Sequence, residues 1–290
     1  MLAVITALAA AGCFAVSTSL QHHCAEAAPA SAVTSRQLIW HLAHRPLWLI
    51  GMGMGGVGFV LHALALRLGA LAVVQPILVT GIVFALPVRA ALYRQAPSAR
   101  NIWWAALTAT ALAVFLVVSH PTAGHDPPDR VAAMLFVAVA VATAAVAIEV
   151  GVRAGSPRLT GLLLGAGAGV LFGTVAGVTK LAVTVLTAEG LVGLLLDWPL
   201  WTLAALGGCG LAVNQRAYKS APLPYSMPVL NIISPLVAIA YGFYIFGEQP
   251  ADELWAVLVQ LAALATMSVG VLALTRATSS APSTPALERT

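Results

Sequence analysis

VAAMLFVAVAVATAAVAIEV, residues 131–150, decides how the rest of this chain is read. It is one apolar helix long, enough to cross a hydrocarbon core about 30 Å thick. It has no echo elsewhere, whereas most of what precedes it is loosely repeated after it. An unpaired crossing between two copies of a four-crossing unit forces the second copy to insert upside down. Two repeats related by an axis in the membrane plane are the layout of a transporter.

The composition belongs to the same class. The chain is 60% apolar and 8% charged, against about 25% charged in an average soluble domain. Its mean hydropathy is +0.93, and long runs carry no charge, which makes a polytopic membrane protein with the lipid bilayer as its first partner. The net charge of +4 is spread over single residues in short loops. That pattern suits membrane topology and not a phosphate-binding patch, so no nucleic-acid partner is expected. Cys13, Cys24 and Cys209 form no CxxC pair and are expected to be reduced, buried, small apolar side chains. Leu2–Leu20, followed by Ala25, Ala27 and Ala28, has the length of a signal-peptide core. It lacks a basic leader, and its pattern returns near Leu171–Lys180, so it is read as a retained membrane helix.

The sequence predicts an all-α protein with nine transmembrane helices, at 2–21, 47–66, 69–92, 101–119, 131–150, 159–187, 200–217, 222–247 and 253–274. The organisation follows: a first four-helix repeat over 1–119, the linking helix and its loops over 120–158, a second, inverted repeat over 159–275, and a disordered cytoplasmic tail over 276–290. Ala30–His44 is expected to form a short interfacial helix with Trp40 at headgroup depth. HPTAGHDPPDR (120–130) and GVRAGSPR (151–158) punctuate the chain, because their prolines and glycines cannot continue a helix.

Charge placement tests the count. Nine crossings put Arg36, Arg45, Arg89, Arg94, Arg100, Arg153, Arg158, Arg216, Lys219, Arg276 and Arg289 on one face. The other face receives Arg67, Arg130 and most acids, namely Asp126, Asp129, Glu189, Asp197, Glu248, Asp252 and Glu253. Cytoplasmic loops are rich in Lys and Arg. The expected location is therefore the plasma membrane, with the N-terminus outside and the C-terminus in the cytoplasm.

The third and fourth helices repeat at a constant offset, and the first helix repeats in the same order. ALRLGALAVVQPILVTGIVFALPVRAALY (65–93) aligns with AYKSAPLPYSMPVLNIISPLVAIAYGFYI (217–245), Pro76 falling on Pro228 and Trp103 on Trp255. AGCFAVSTSLQHH (11–23) aligns with GVLFGTVAGVTKL (169–181), Phe14 falling on Phe172 and His22 on Lys180.

Polar groups at membrane depth are costly and tend to face a bundle interior or a wet cavity. His22 and Lys180, His62 and its repeat mate Asn214, Gln75, Asn231, Ser234 and Tyr225 are the candidate substrate-binding or coupling residues. Pro76, Pro228 and Pro235 are candidate bends, since a proline inside a helix frees a carbonyl one turn back. Each has a plainer reading: His22 and His23 as interfacial snorkelling groups, His62 and Asn214 as interhelical glue, Gln75 and Asn231 as local backbone partners. Gly51, Gly53 and Gly56 spell GxGxxG, but inside an apolar helix that fingerprint has no strand to follow. They and Gly165–Gly177 read as small-residue faces that let helices approach closely. There is no GxSxG or HExxH and no carboxylate pair at membrane depth, so neither an enzyme, a metal centre nor a cofactor is expected. A homodimer is compatible with the pattern.

The paired four-helix units, with prolines early in the third helix of each, resemble the drug/metabolite transporter superfamily over about residues 2–274. FAVSTSLQHHCAEAA (14–28), Asn214 and PVLNIISPLVAIAYGFYIFGE (228–248) are similar to the NIPA-like magnesium transporter branch. Gln21-His22-His23 stands where that branch has a basic cluster, and few oxygen donors are available for Mg²⁺, which favours oxygen ligands. The resemblance implies alternating-access transport of a small solute. A Mg²⁺ or other divalent-cation transporter, and a non-transporting membrane accessory protein, are the alternatives.

Overall fold

The computed structural model describes residues 1–26, 42–119, 128–221, 223–249 and 253–279. These residues include ten helices: α1 (Leu2–Glu26), α2 (Pro46–Leu68), α3 (Leu71–Val79), α4 (Gly81–Tyr93), α5 (Ala99–Val118), α6 (Arg130–Arg153), α7 (Pro157–Leu196), α8 (Trp198–Ser220), α9 (Leu223–Phe246) and α10 (Leu254–Ser279). By length and composition, eight stretches of the described residues could cross a membrane: α1, α2, α3 with α4, α5, α6, α7, α9 and α10. α8 has a span's length, but its last third carries Asn214, Gln215, Arg216 and Lys219, and it falls outside that set. The fold is thus all-helical, with a membrane protein's apolar spans.

Helix starts follow local chemistry. Ser98 accepts from Asn101 N, Asp129 from Val131 N and Ala132 N, Ser156 from Leu159 N, and Asp197 from Trp198 N. Each satisfies amides that a helix leaves unpaired in its first turn. Pro46, Pro157 and Pro199 stand in first turns, where a missing N–H costs nothing.

Several boundaries differ from expectation. α1 continues beyond residue 21 to Glu26, because Gln21 Nε2 donates to Ser17 Oγ at 2.8 Å along one helix face and His23 stacks edge-on against Tyr93. The span expected at 69–92 is two helices. Thr80 Oγ1 donates to the Ile77 carbonyl at 2.6 Å, and the Thr80 amide uses that same oxygen, so the ladder tightens to i→i+3 and restarts at Gly81. The helix expected to stop at 187 reaches Leu196 by way of a break at Gly190, whose φ of 73° and ψ of −173° suit glycine alone. α10 runs five residues past 274, into the segment read as tail. α9 stays helical through both Pro228 and Pro235. The greater part of the expected interfacial helix, including Trp40 and His41, lies outside the described residues, as do 120–127 and 280–290.

Two glycine-lined contacts organise the bundle. α1 and α2 pack antiparallel along their lengths, with Gly51 against Leu20 and Gln21, Gly58 against Phe14 and Cys13, and Gly69 against Ala3. On α7, Gly161, Gly165, Gly169, Gly173 and Gly177 recur every fourth residue and meet Tyr225, Ser226, Ile233, Val237 and Tyr241 of α9 in turn. A Cβ at Gly169 would sit 3.0 Å from the Ile233 Cβ, so the missing side chains set the helix separation. α5 packs on α10, and α3 on α9. α6 buries the small residues Ala133, Ala140, Ala144 and Gly151 and exposes Leu135, Val139 and Val146. Cys24 is buried, but Cys13 is only half-buried and Cys209 is exposed on α8, against the expectation that all three are core residues.

Candidate functional site

The residues that converge do so at one end of the bundle, where α2 turns into α3. Gly69 and Ala70 are extended there, so the turn presents the last carbonyls of α2 and the first amides of α3 side by side. Such groups have no partner within their own helices. The second half of the chain supplies both partners. Lys180 Nζ, on α7, donates to the Gly69 carbonyl at 3.0 Å, and Glu248 Oε2 accepts from Leu71 N at 2.8 Å. A cation thus caps a helix C-terminus and a carboxylate caps an N-terminus, each matched to the local helix dipole. The two charges also meet each other, Lys180 Nζ to Glu248 Oε1 at 2.5 Å. The third side of the ammonium faces the Phe246 ring, 4.8 Å from its centroid.

Glu248 is the residue that sequence reasoning placed in an outer loop and the structure buries, at 2% exposure. α9 ends at Phe246, Gly247 takes a left-handed φ of 64°, and the Glu248 amide returns to the Gly242 carbonyl at 3.1 Å. This hooked C-terminus turns the next side chain back over the bundle. The readable signal is a Gly-Glu pair directly after a long apolar run. The side chain of Lys180 is 13% exposed, and it lies twenty-three residues, about 35 Å of helix, from the start of α7. It is therefore near a bundle end and not at mid-bundle.

Around the junction lies the largest apolar cluster of the described residues, with Leu71, Val74, Ile77, Leu181, Tyr241 and Phe246. Tyr241 is edge-on to Phe136 at 5.0 Å and tilted against Phe246 at 6.2 Å. Tyr241 Oη and Trp198 Nε1, from the cluster and its border, are buried without a hydrogen-bond partner. Arg130 and Asp197 form an ion pair joining the start of α6 to the start of α8.

The other sequence candidates are scattered. His62 and Gln75 meet, Nε2 to Nε2 at 3.3 Å, with Phe14 edge-on to the imidazole. The buried Gln75 amide is thus paired with a side chain of α2 and not with local backbone. His22 is exposed near the end of α1. Gly69 adjoins Ala3, nineteen residues earlier on that helix, so His22 and Lys180 are separated by about 28 Å along the bundle. Asn214, on α8, is half-buried, with an unpartnered Oδ1. Asn231 and Ser234 are half-buried on α9, and the Ser234 backbone lies against Gly173. Tyr225 packs on Gly161 at the end opposite Lys180. Pro76 is buried within α3, one turn before the Thr80 joint.

An uncharacterized protein of Corynebacterium glutamicum is 32% identical to this chain over 278 residues, covering 95% of each. The chain belongs to that protein's family. No family model and no solved structure matches it, so the chemistry of the family is read here from the residues of this member. What this member offers is a buried acid–base pair that ties two parts of one bundle together through the ends of two helices.

Proposed function

We propose that this chain is a multi-pass membrane carrier of the drug/metabolite type, moving a small solute by rocking two inverted four-helix halves against each other. The observation that carries the proposal is the Lys180–Glu248 junction. Its charges come from the second half, and the carbonyl and amide they cap come from the first. The helix contacts support the duplication: α1 lies on α2 as α7 lies on α8, while the third helices of the two halves meet, as do the fourth. His22 aligns with Lys180 at an offset of 158 residues and Ala96 with Glu248 at 152, so the first half has no acid at the position matching Glu248.

With the N-terminus outside, the orientation that the distribution of Lys and Arg supports, the junction is the outer closure of a carrier resting open to the cytoplasm. Tyr241 and Trp198 bring buried, unsatisfied donors close by, which favours a solute bearing a carbonyl, carboxylate or phosphate oxygen. The acid at the junction is already neutralised by a lysine, which weighs against a divalent cation as cargo.

The test begins with a thermal-shift screen of purified protein against metabolites, drugs and divalent ions, since a ligand stabilises the state it binds. Uptake or efflux of the resulting solute is then measured in proteoliposomes for wild type, Lys180→Met and Glu248→Gln. Loss of transport in both variants, with insertion and folding retained, is the expected result. Equal transport by all three refutes the gate. Rescue of growth at low Mg²⁺, with no organic ligand found, would replace this reading with the cation transporter.

A further inference from the structure

At the end of the bundle opposite Lys180, a cavity of about 340 Å³ opens between the end of α6, the start of α7 and the end of α8. That is the small end of the range for ligand pockets, about 300–1,000 Å³. Its wall combines Arg216 with the hydroxyls of Ser156, Thr160 and Ser220, over apolar surface from Val152, Pro157 and the buried Leu164. No acid lines it.

Glu149, one turn before Arg153 on α6, is taken by it. Among the described residues Arg216 has no carboxylate partner. Its guanidinium therefore brings a full positive charge to a concave, hydroxyl-lined site without internal compensation. The amides of α7 are not what makes the site, because those of Leu159 and Thr160 already bond to Ser156. Gly155 also lines the cavity, and a Cβ there would meet nothing within 4 Å, so that part of the wall is open.

From this geometry we infer that the cavity is a binding site for a phosphate ester, held by Arg216 and the hydroxyls of Ser156 and Ser220, the Thr160 hydroxyl already donating to the Ala154 carbonyl. Guanidinium and hydroxyl groups are matched to tetrahedral phosphate oxygens, and the apolar floor suits the first carbons of the ester. A pocket between helix ends at a membrane face is reached both by an anionic phospholipid headgroup and by a soluble phosphate compound. The shared chemistry is the phosphate, and the test separates the sources.

Full-length protein in neutral detergent is titrated with phosphatidylglycerol, phosphatidylcholine or inorganic phosphate, and thermal midpoint and retained lipid per chain by native mass spectrometry are read. Selective retention of phosphatidylglycerol assigns the site to lipid, and stabilisation by inorganic phosphate alone assigns it to a soluble ligand. Either effect should weaken about tenfold in Arg216→Gln, the scale of one lost charge-assisted contact. It should weaken comparably in Gly155→Leu, which fills open space and leaves the charge in place. Arg158→Gln, at a neighbouring cation outside the cavity wall, should change it less than about twofold, as for a screened surface charge. No preference among the three probes, or a preference that survives both Arg216→Gln and Gly155→Leu, overturns the inference.

Discussion

Lys180 and Glu248 lend themselves to a double-mutant cycle whose size follows from their surroundings. In Lys180→Met the Glu248 carboxylate keeps one partner, Leu71 N, while remaining buried. Removing one member of a buried ion pair costs about 3–5 kcal/mol, and with Lys180 partly exposed the lower figure applies. Glu248→Gln leaves the ammonium on the Gly69 carbonyl and the Phe246 ring, a cation–π contact of about 0.5–2 kcal/mol. Its cost should therefore be smaller, about 2–3 kcal/mol for the lost charge partner. The double variant has no buried charge to compensate, and a glutamine oxygen can still accept from Leu71 N. It should lose only about 2 kcal/mol, giving a coupling energy of about 3 kcal/mol. The assay is reversible unfolding by SDS titration in mixed micelles, followed by helix content. A coupling below about 0.5 kcal/mol, the range of independent sites, would refute the claim that these charges stabilise the bundle through each other.

Three further outcomes rest on single contacts. Gly165→Ala places a Cβ 3.0 Å from the Ser226 Cα, a backbone neighbour that cannot step aside, and should destabilise by about 1–3 kcal/mol. Gly208→Ala, with nothing within 4 Å, should be neutral or stabilising in the same melt, and equal costs would sink the packing argument. Gly190→Ala has room for its methyl but forces a backbone region held almost only by glycine, so a loss of about 1–3 kcal/mol is expected. An unchanged midpoint would show that the break is not required. His62→Leu strands the buried Gln75 amide and should cost about 1–3 kcal/mol, much of it recovered by adding Gln75→Leu; additive losses would contradict the pairing at 3.3 Å.

Much of the fold was legible because apolar length and end caps are local signals. The apolar runs placed the helices, and Ser98, Asp129, Ser156 and Asp197, the residue types that cap helix starts, cap four of them in the structure. The internal breaks were not legible in the same way. The joint at Thr80 depends on a hydroxyl choosing the Ile77 carbonyl, and a lone glycine in an apolar run, such as Gly190, reads like its helical neighbours. Lys180 stood out because a lysine deep in an apolar run is costly unless it is paired. Its partner did not, since an acid just after a helix ordinarily sits in water. Only the left-handed turn at Gly247 sends Glu248 inward, and the capped groups at Gly69 and Leu71 belong to a distant stretch of chain. That contact is tertiary: the Gly-Glu pair marks the hook at the end of α9 but not the groups it meets.

The cross-capped turn between α2 and α3 also governs how that end of the molecule would part. Pulling the helices slightly asunder strands an ammonium, a carboxylate, a carbonyl and an amide in the same step. Water can repay that loss only once the gap admits it, so intermediate separations are the costliest of all. On the carrier reading the region should therefore behave as a snap fastener with two resting positions, heat or ligand changing how often it springs without creating a half-sprung form.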